Sequence, residues 1–171
     1  DILSTYSKQI DALRKKEELN RDHLLEKVAF TWFNRLTAIR YLDAKGWHPF
    51  KCNVLSPETD GESQPQILKL FRRGDLPNEL KKHTNEKRLN DLLDGRIAPN
   101  NPGSNPEAEV YRELILAVCR MYHQLLGDLF DALDDSKELL LPDDLLSGNS
   151  IVGSFCNEIS DSDCENVEII G

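Results

Sequence analysis

The side chains with the most reactive chemistry, four cysteines and four histidines, do not form a recognisable site. Cys119 and His123 lie four positions apart on a predicted helix, so both could reach one metal ion. A structural zinc ion takes about four protein ligands, and no second pair accompanies these two. His48 and Cys52 have the same spacing, but Pro49 between them excludes a helix. We therefore predict structural thiols and imidazoles, and no metal ligand.

The motifs of nucleotide-dependent and hydrolytic enzymes are also missing. The sequence has no glycine-rich phosphate loop, no Gly-x-Ser-x-Gly elbow and no His-Glu-x-x-His pair. Its four cysteines contain no C-x-x-C pair and have no secretory context that would favour disulfides. We expect no catalytic residue and no cofactor-binding residue within these 171 residues.

Two basic clusters are the candidates for contact with DNA. Their members are Lys69, Arg72, Arg73, Lys81, Lys82, Lys87 and Arg88. Phosphate binding needs mobile positive groups in a row, which two neighbouring helices could supply. Acidic residues such as Asp75 and Glu79 are interleaved with them, and an ordinary solvated helix face has the same pattern. Direct DNA contact and a solvated face are both open interpretations.

Charge differs strongly between the two parts of the chain. Residues 1–100 contain 18 of the 21 basic and 15 of the 30 acidic residues, a net of +3, whereas residues 101–171 carry a net of -12. The first part could face a polyanion and the second would repel one. An acidic patch of Asp128, Asp131, Asp134 and Asp135 is interpreted as a solvated face, or as a docking site for a basic partner.

Two charged residues fall inside the apolar arcs of predicted helices. Arg35 lies between Val28 and Leu42 on the helical projection, and Asp128 lies among apolar residues of a later helix. A buried charge without a partner would cost several kcal/mol. We predict that Arg35 and Asp128 form a structural ion pair with each other, or that they pair with Asp43 and Arg40.

Hydrophobic spacing predicts helices along nearly the whole chain and no strand of useful length. Two long helices are expected at about 21–45 and 106–133, the first capped by Asn20 or Asp22 and the second starting at Asn105-Pro106. Apolar residues on the first of these helices, including Leu25 and Phe33, share one predicted core face. Shorter helices are predicted over 65–73 and 77–93, with further pieces within 143–170. The predicted fold is an all-α, irregular helical domain built around the two long helices.

The predicted organisation is a single helical domain over residues 1–171. Residues 1–20 are either a helix packed on this domain or an N-terminal helical arm, and the turn-rich stretch 97–105 is an internal linker. The chain starts at Asp1 and stops on the apolar stretch 167–171, so we expect a segment excised from a longer protein. No run of about 20 apolar residues is present, and we expect a cytoplasmic protein without membrane contact.

Three stretches of the chain carry a family resemblance. Residues 26–42, which read EKVAFTWFNRLTAIRYL, resemble the early region of PglX, the adenine-specific DNA methyltransferase family of BREX (bacteriophage exclusion) systems. Residues 141–147 (LPDDLLS) and 167–171 (VEIIG) are also similar to sequence ahead of that family's catalytic domain. Together the similar regions extend over about residues 24–171. The resemblance implies a leading, non-catalytic part of a phage-defence or restriction-modification enzyme.

The parent enzyme that the resemblance implies uses S-adenosylmethionine to methylate adenine in DNA. Its Asn-Pro-Pro-aromatic motif, which holds a flipped adenine, should lie downstream, because this chain has only Asn101-Pro102-Gly103. The implied role is to support the catalytic domain and help place DNA or other phage-defence proteins. The alternatives are a protein-docking module without DNA contact, the methylase part of a fused restriction-modification enzyme, and an unrelated helical adaptor.

Overall fold

The fold is described by a computed structural model that covers residues 7–59, 61–127, 130, 138 and 140–165, and these residues form helices, turns and loops without a strand. The helices are α1 (Ser7–Lys45), α2 (Gln66–Arg73), α3 (Asn78–Lys81), α4 (Glu86–Leu93), α5 (Pro106–Leu125) and α6 (Ile151–Glu158), followed by a 3-10 turn, η1 (Asp163–Glu165). The predicted all-α class is confirmed. None of the described helices combines enough length and hydrophobicity to cross a bilayer.

Helix α1 is one continuous helix of 39 residues. The predicted start at Asn20 or Asp22 was wrong, because both residues lie inside α1. No proline or glycine occurs between Ser7 and Lys45, so nothing in this stretch breaks the backbone pattern. The predicted arm over residues 1–20 therefore runs directly into α1 from Ser7 onward. Gly46, with φ of 61°, ends the helix as predicted.

Helix α5 lies in the middle of the domain and packs against α2, α3 and α4. The Asn105 side chain accepts a hydrogen bond from the Glu107 backbone N–H at 2.9 Å, and Pro106 occupies the first turn, as predicted. The predicted end near residue 133 was wrong, because Leu126 leaves the helical conformation with φ of -137° and ψ of 57°. This helix contributes the largest share of the buried core.

The stretch predicted as one helix over 77–93 is divided into α3 and α4. Asn85 has φ of -86° and ψ of 78°, and its side chain accepts a hydrogen bond from the Arg88 backbone N–H at 3.1 Å. Asn85 is therefore an N-cap in the middle of the predicted helix. Helix α2 matches its prediction closely, since it begins after Pro65 and ends at Gly74, whose φ is 79°.

The C-terminal part of the domain packs on the second half of α1. Helix α6 and turn η1 both contact α1. Arg40 holds this arrangement, because its Nε donates to the Ile159 carbonyl at 2.8 Å and its Nη2 lies 2.6 Å from Asp161 Oδ1. The Lys45 ammonium also donates to the Glu165 carbonyl at 3.1 Å. These bonds join residues about 120 positions apart.

Candidate functional site

Three of the seven candidate DNA-contact residues form ion pairs within the domain. Lys69 pairs with Glu62, Arg72 with Glu107 at 2.7 Å, and Arg88 with Glu109. The second and third of these pairs tie helices α2 and α4 to the start of α5. Glu109 is buried and also accepts the Asn100 backbone N–H at 2.7 Å, so Arg88 neutralises a buried carboxylate. Lys69, Arg72 and Arg88 thus have carboxylate partners within the domain, and their contact with DNA stays a prediction.

The other four candidates, Arg73, Lys81, Lys82 and Lys87, form no ion pair within the described part of the chain. Arg73, Lys82 and Lys87 are exposed, and Lys81 is half-buried. They lie on α2, on and just after α3, and on α4, which are consecutive elements that each contact α5. We call these four residues the cationic surface. Their contact with DNA stays a prediction.

A cavity of about 340 Å³ is lined by residues of α4 and α5 and by the segment 83–85. Two guanidinium groups, Arg88 and Arg120, line it together with His83 and Glu113. Arg120 Nη2 donates to both carboxylate oxygens of Glu138 at 3.0 Å, and Arg88 is paired as described above. Because each guanidinium already has a carboxylate partner, the cavity offers no surplus positive charge to an anion.

Arg35, one member of the structural ion pair predicted with Asp128, lies in the core beside Trp32. Arg35 is 1% exposed, and its guanidinium carbon lies 5.2 Å from the centre of the Trp32 ring. Asp128 and the other members of the acidic patch, Asp131, Asp134 and Asp135, lie outside the described residues. The pairing and the docking role of the patch both stay predictions.

A buried polar network, which sequence reasoning missed, surrounds Asp43. Its Oδ1 accepts the Val54 backbone N–H at 2.7 Å, and its Oδ2 accepts those of Leu55 at 2.7 Å and Ser56 at 3.0 Å. His48 Nε2 lies 2.7 Å from Asp43 Oδ1, and His48 Nδ1 lies 2.6 Å from the Tyr122 hydroxyl. The network thus joins α1, the following loop and α5.

The order of acid, imidazole and hydroxyl in this network resembles a hydrolase triad, but the groups are buried. Asp43, His48 and Tyr122 are each less than a tenth exposed. Burial and the nearby Asp43 carboxylate raise the pKa of the Tyr122 hydroxyl above its usual value, which opposes its use as a nucleophile. The network is therefore structural. In the sequence, the one sign of this network is that Asp43 and His48 lie five positions apart on either side of Gly46.

Cys119 and His123, the pair considered above as metal ligands and rejected, have different surroundings. His123 Nδ1 bonds to the Phe130 carbonyl oxygen at 2.6 Å, whereas Cys119 is buried in the core. Burial raises the pKa of the Cys119 thiol to about 12, and burial together with Asp43 raises that of Cys52 to about 12. Among the described residues, no group of three or more ligating side chains could hold a metal ion.

An apolar groove of about 660 Å³ lies between α1, residues 140–142 and α6. Five large apolar side chains that line it are exposed, and they are Leu25, Phe30, Phe33, Leu140 and Ile151. Phe33 is 55% exposed and Leu25 is 46% exposed, so their predicted place in the core was wrong. We call this feature the apolar groove. Helical periodicity placed Leu25 and Phe33 on one face of the helix. Whether another element covers these two side chains depends on the tertiary arrangement, and among the described elements none buries them.

Comparison with known proteins gives two relatives and no matching family model. Over 169 residues, 99% of the chain, it is 32% identical to the adenine-specific methyltransferase BrxX of Escherichia coli O9:H4 (strain HS). Over 170 residues it is 26% identical to the adenine-specific methyltransferase PglX of Lacticaseibacillus casei (strain Zhang). The chain spans about 13% of the length of each relative. The resemblance inferred from the sequence is thereby confirmed, and the chain matches a segment of the BREX adenine-specific methyltransferases BrxX and PglX over almost its whole length.

Proposed function

We propose that this chain is a non-catalytic helical segment of an adenine-specific DNA methyltransferase of a BREX phage-defence system. It supports the remainder of that enzyme and helps to position DNA. Two relatives that are named adenine-specific methyltransferases, each matched over about 13% of its length, support this assignment. The S-adenosylmethionine site and the adenine pocket belong to the parent enzyme outside these 171 residues, because the sequence contains neither motif.

The observation that carries the DNA-positioning role is the division of the seven basic residues. Lys69, Arg72 and Arg88 form ion pairs with carboxylates of the same domain, whereas the four residues of the cationic surface form none within the described part of the chain. Backbone phosphates are bound by such available, mobile cations, and each neutralised phosphate contributes a slope of about -0.9 to the salt dependence of binding. Four contacts would give a slope of roughly -3.6.

The test is fluorescence anisotropy of a labelled DNA duplex titrated with the chain at low and at moderate salt. We expect weak, salt-sensitive binding that the triple change Lys81→Ala, Lys82→Ala and Lys87→Ala weakens, and we expect this change to reduce the salt slope by about 2.7. The matched control removes the same charge from α1 by changing the exposed Arg14, Lys15 and Lys27 to Ala. Equal losses in both triple variants, or no binding at low salt, would contradict the role.

A second function, docking within the defence complex without DNA contact, is favoured by the apolar groove. A groove lined by exposed aromatic and aliphatic side chains is suited to protein partners and has no affinity for phosphates. Other phage-defence proteins and the parent enzyme's own remainder are the partners that this function implies. Absence of DNA binding in the anisotropy experiment would leave docking as the function of this segment.

A further inference from the structure

We propose that the apolar groove is the docking site for an amphipathic helix from the remaining part of the same polypeptide. The proposal rests on the proposed function, since it requires that the chain is part of a longer methyltransferase. Beyond that function, the proposal names the surface by which the segment binds the rest of the methyltransferase and the chemical character of the helix that docks there. The occupant presents large apolar side chains to α1 and α6, with a basic residue near Glu26.

The exposure of the groove is the first observation that favours an interaction surface. Phe30 is 66% exposed and Phe33 is 55% exposed, and Leu25, Leu140 and Ile151 are exposed beside them. Exposed apolar residues scattered singly are ordinary, but a contiguous patch of this kind marks a binding surface. Among the described residues that line the groove, Glu26 is the one that carries a charge, so this surface is poorly suited to nucleic acid and well suited to an apolar partner.

The shape of the groove fits a helix. Its walls are α1 on one side and α6 with residues 140–142 on the other. The rings of Phe33 on α1 and Phe155 on α6 lie 5.5 Å apart at an angle of 58°, which joins the two walls, and the buried Trp32 and Val28 also line the groove. Apolar grooves that are bordered by helices commonly bind amphipathic helices, whose apolar side chains recur at i, i+3, i+4 and i+7, and this groove has a volume of about 660 Å³.

The same polypeptide is favoured over a second copy as the source of the occupant. A two-fold contact between copies requires a self-complementary surface, and two concave grooves placed together would enclose empty space. The match leaves about seven-eighths of each relative outside this segment, which is ample chain to supply a helix. A tethered helix also binds as an intramolecular ligand at an effective concentration in the millimolar range, so even a modest groove is filled.

The experiment places the photo-crosslinking amino acid p-benzoylphenylalanine at Phe33 in the complete polypeptide that contains this chain. After irradiation of a mixture of ¹⁵N-labelled and unlabelled protein, mass spectrometry identifies the crosslinked peptides. We expect crosslinks to a peptide outside residues 1–171 within one polypeptide. The control carries the same amino acid at Ile97, which is 38% exposed and does not line the groove.

Two results would overturn the proposal. Crosslinks between labelled and unlabelled polypeptides would assign the groove to a second copy, and a yield no higher than at Ile97 would show that nothing occupies it. The DNA titration described above is independent, because neither Phe33 nor its crosslink involves the cationic surface. Loss of DNA binding with retained crosslinking would therefore reject the DNA role and keep the groove assignment, and the converse result would do the opposite.

A substitution in the complete polypeptide provides a second measurement. Phe33→Asp places a charge in the groove, whereas the matched Phe33→Leu keeps an apolar side chain there. We expect Phe33→Asp to raise deuterium uptake at least threefold in the peptide identified by crosslinking, and we expect Phe33→Leu to leave it unchanged. Equal uptake in both variants would contradict occupancy of the groove by that peptide.

Discussion

His48 Nε2 lies 2.7 Å from Asp43 Oδ1, and both side chains are completely enclosed by the domain. The same carboxylate accepts three backbone N–H groups from residues 54–56. One side chain at the end of α1 therefore determines the course of the loop that leads toward α2. A buried carboxylate is tolerated when its oxygens are fully hydrogen-bonded, and here four donors surround it.

Replacement of this carboxylate should be strongly destabilising. We expect Asp43→Ala to lower the free energy of unfolding by about 3–5 kcal/mol, because three backbone donors and an imidazole would lose their shared acceptor inside the core. Urea unfolding followed by circular dichroism measures this change. The control Asp22→Ala removes an exposed carboxylate from the same helix and should change stability by no more than about 0.5 kcal/mol. Similar losses for both variants would argue against the network.

Gly153 provides a test of the packing at the start of α6. A Cβ atom at this position would lie 2.5 Å from the Gly148 carbonyl oxygen, which is a backbone atom and cannot move aside cheaply. We expect Gly153→Ala to destabilise the domain by about 1–3 kcal/mol in urea unfolding. Gly148→Ala is the matched control, since a Cβ there meets nothing within 4 Å, and it should be neutral or slightly stabilising.

Alkaline pH should destabilise the domain through its buried thiols. Burial raises the pKa of both Cys52 and Cys119 from 9.0 to about 12, so the folded state retains protons that the unfolded state releases. Their stabilising contribution is complete up to about pH 8 and is lost as pH rises through 9 toward 12. Between about pH 8 and pH 10 we expect a loss of roughly 1.4 kcal/mol per thiol.

The pH dependence of urea unfolding for the native sequence and for a Cys52→Ala, Cys119→Ala double variant tests this prediction. Buried Tyr111 and Tyr122 also have raised pKa values and contribute in the same direction, so some slope persists in the double variant. The slope of stability against pH should nevertheless be shallower there than in the native sequence. Identical slopes would show that the two thiols ionise freely in the folded state.

Substitution of a basic residue that forms an ion pair should lower stability, whereas substitution of one that forms none should lower DNA affinity. Arg88→Ala leaves the buried Glu109 without its cation, and we expect a loss of about 1–3 kcal/mol of stability with DNA affinity largely retained. Lys82→Ala removes an exposed, unpaired cation, and we expect unchanged stability with a salt slope smaller by about 0.9. Urea unfolding and DNA anisotropy on both variants measure the two effects. If both variants lost DNA affinity equally, the assignment of Arg88 to structure and of Lys82 to DNA contact would be contradicted.

Local features of the fold were predictable from sequence, because their causes lie within a few residues. The cap at Asn105 and the helix-ending Gly46 and Gly74 follow from side-chain capping and from the backbone freedom of glycine. The division between α3 and α4 was missed, although Asn85 carries a capping side chain, because the flanking residues are good helix formers.

Features that depend on distant residues were not predictable. The partners of Asp43 lie 5 to 13 positions away, and nothing in their side-chain types marks them, since three of them are backbone groups. The apolar spacing of α1 indicated a core face for Phe33, yet the structure leaves that side chain exposed. Periodicity shows which residues share an apolar face that could be buried. Only the tertiary arrangement shows which of these residues are in fact buried. Which of the seven basic residues form ion pairs likewise depends on the tertiary arrangement.

The bond between Arg40 and Asp161, which joins residues 121 positions apart, has a consequence for synthesis on the ribosome. At translation rates of about 5–20 residues per second, roughly 6–24 s pass between the emergence of these two residues. During that interval the nascent α1 cannot acquire its final neighbours α6 and η1, and its apolar surface is open to chaperones. Helix α1 is thus made well before its neighbours α6 and η1, and its packing is completed only when they emerge.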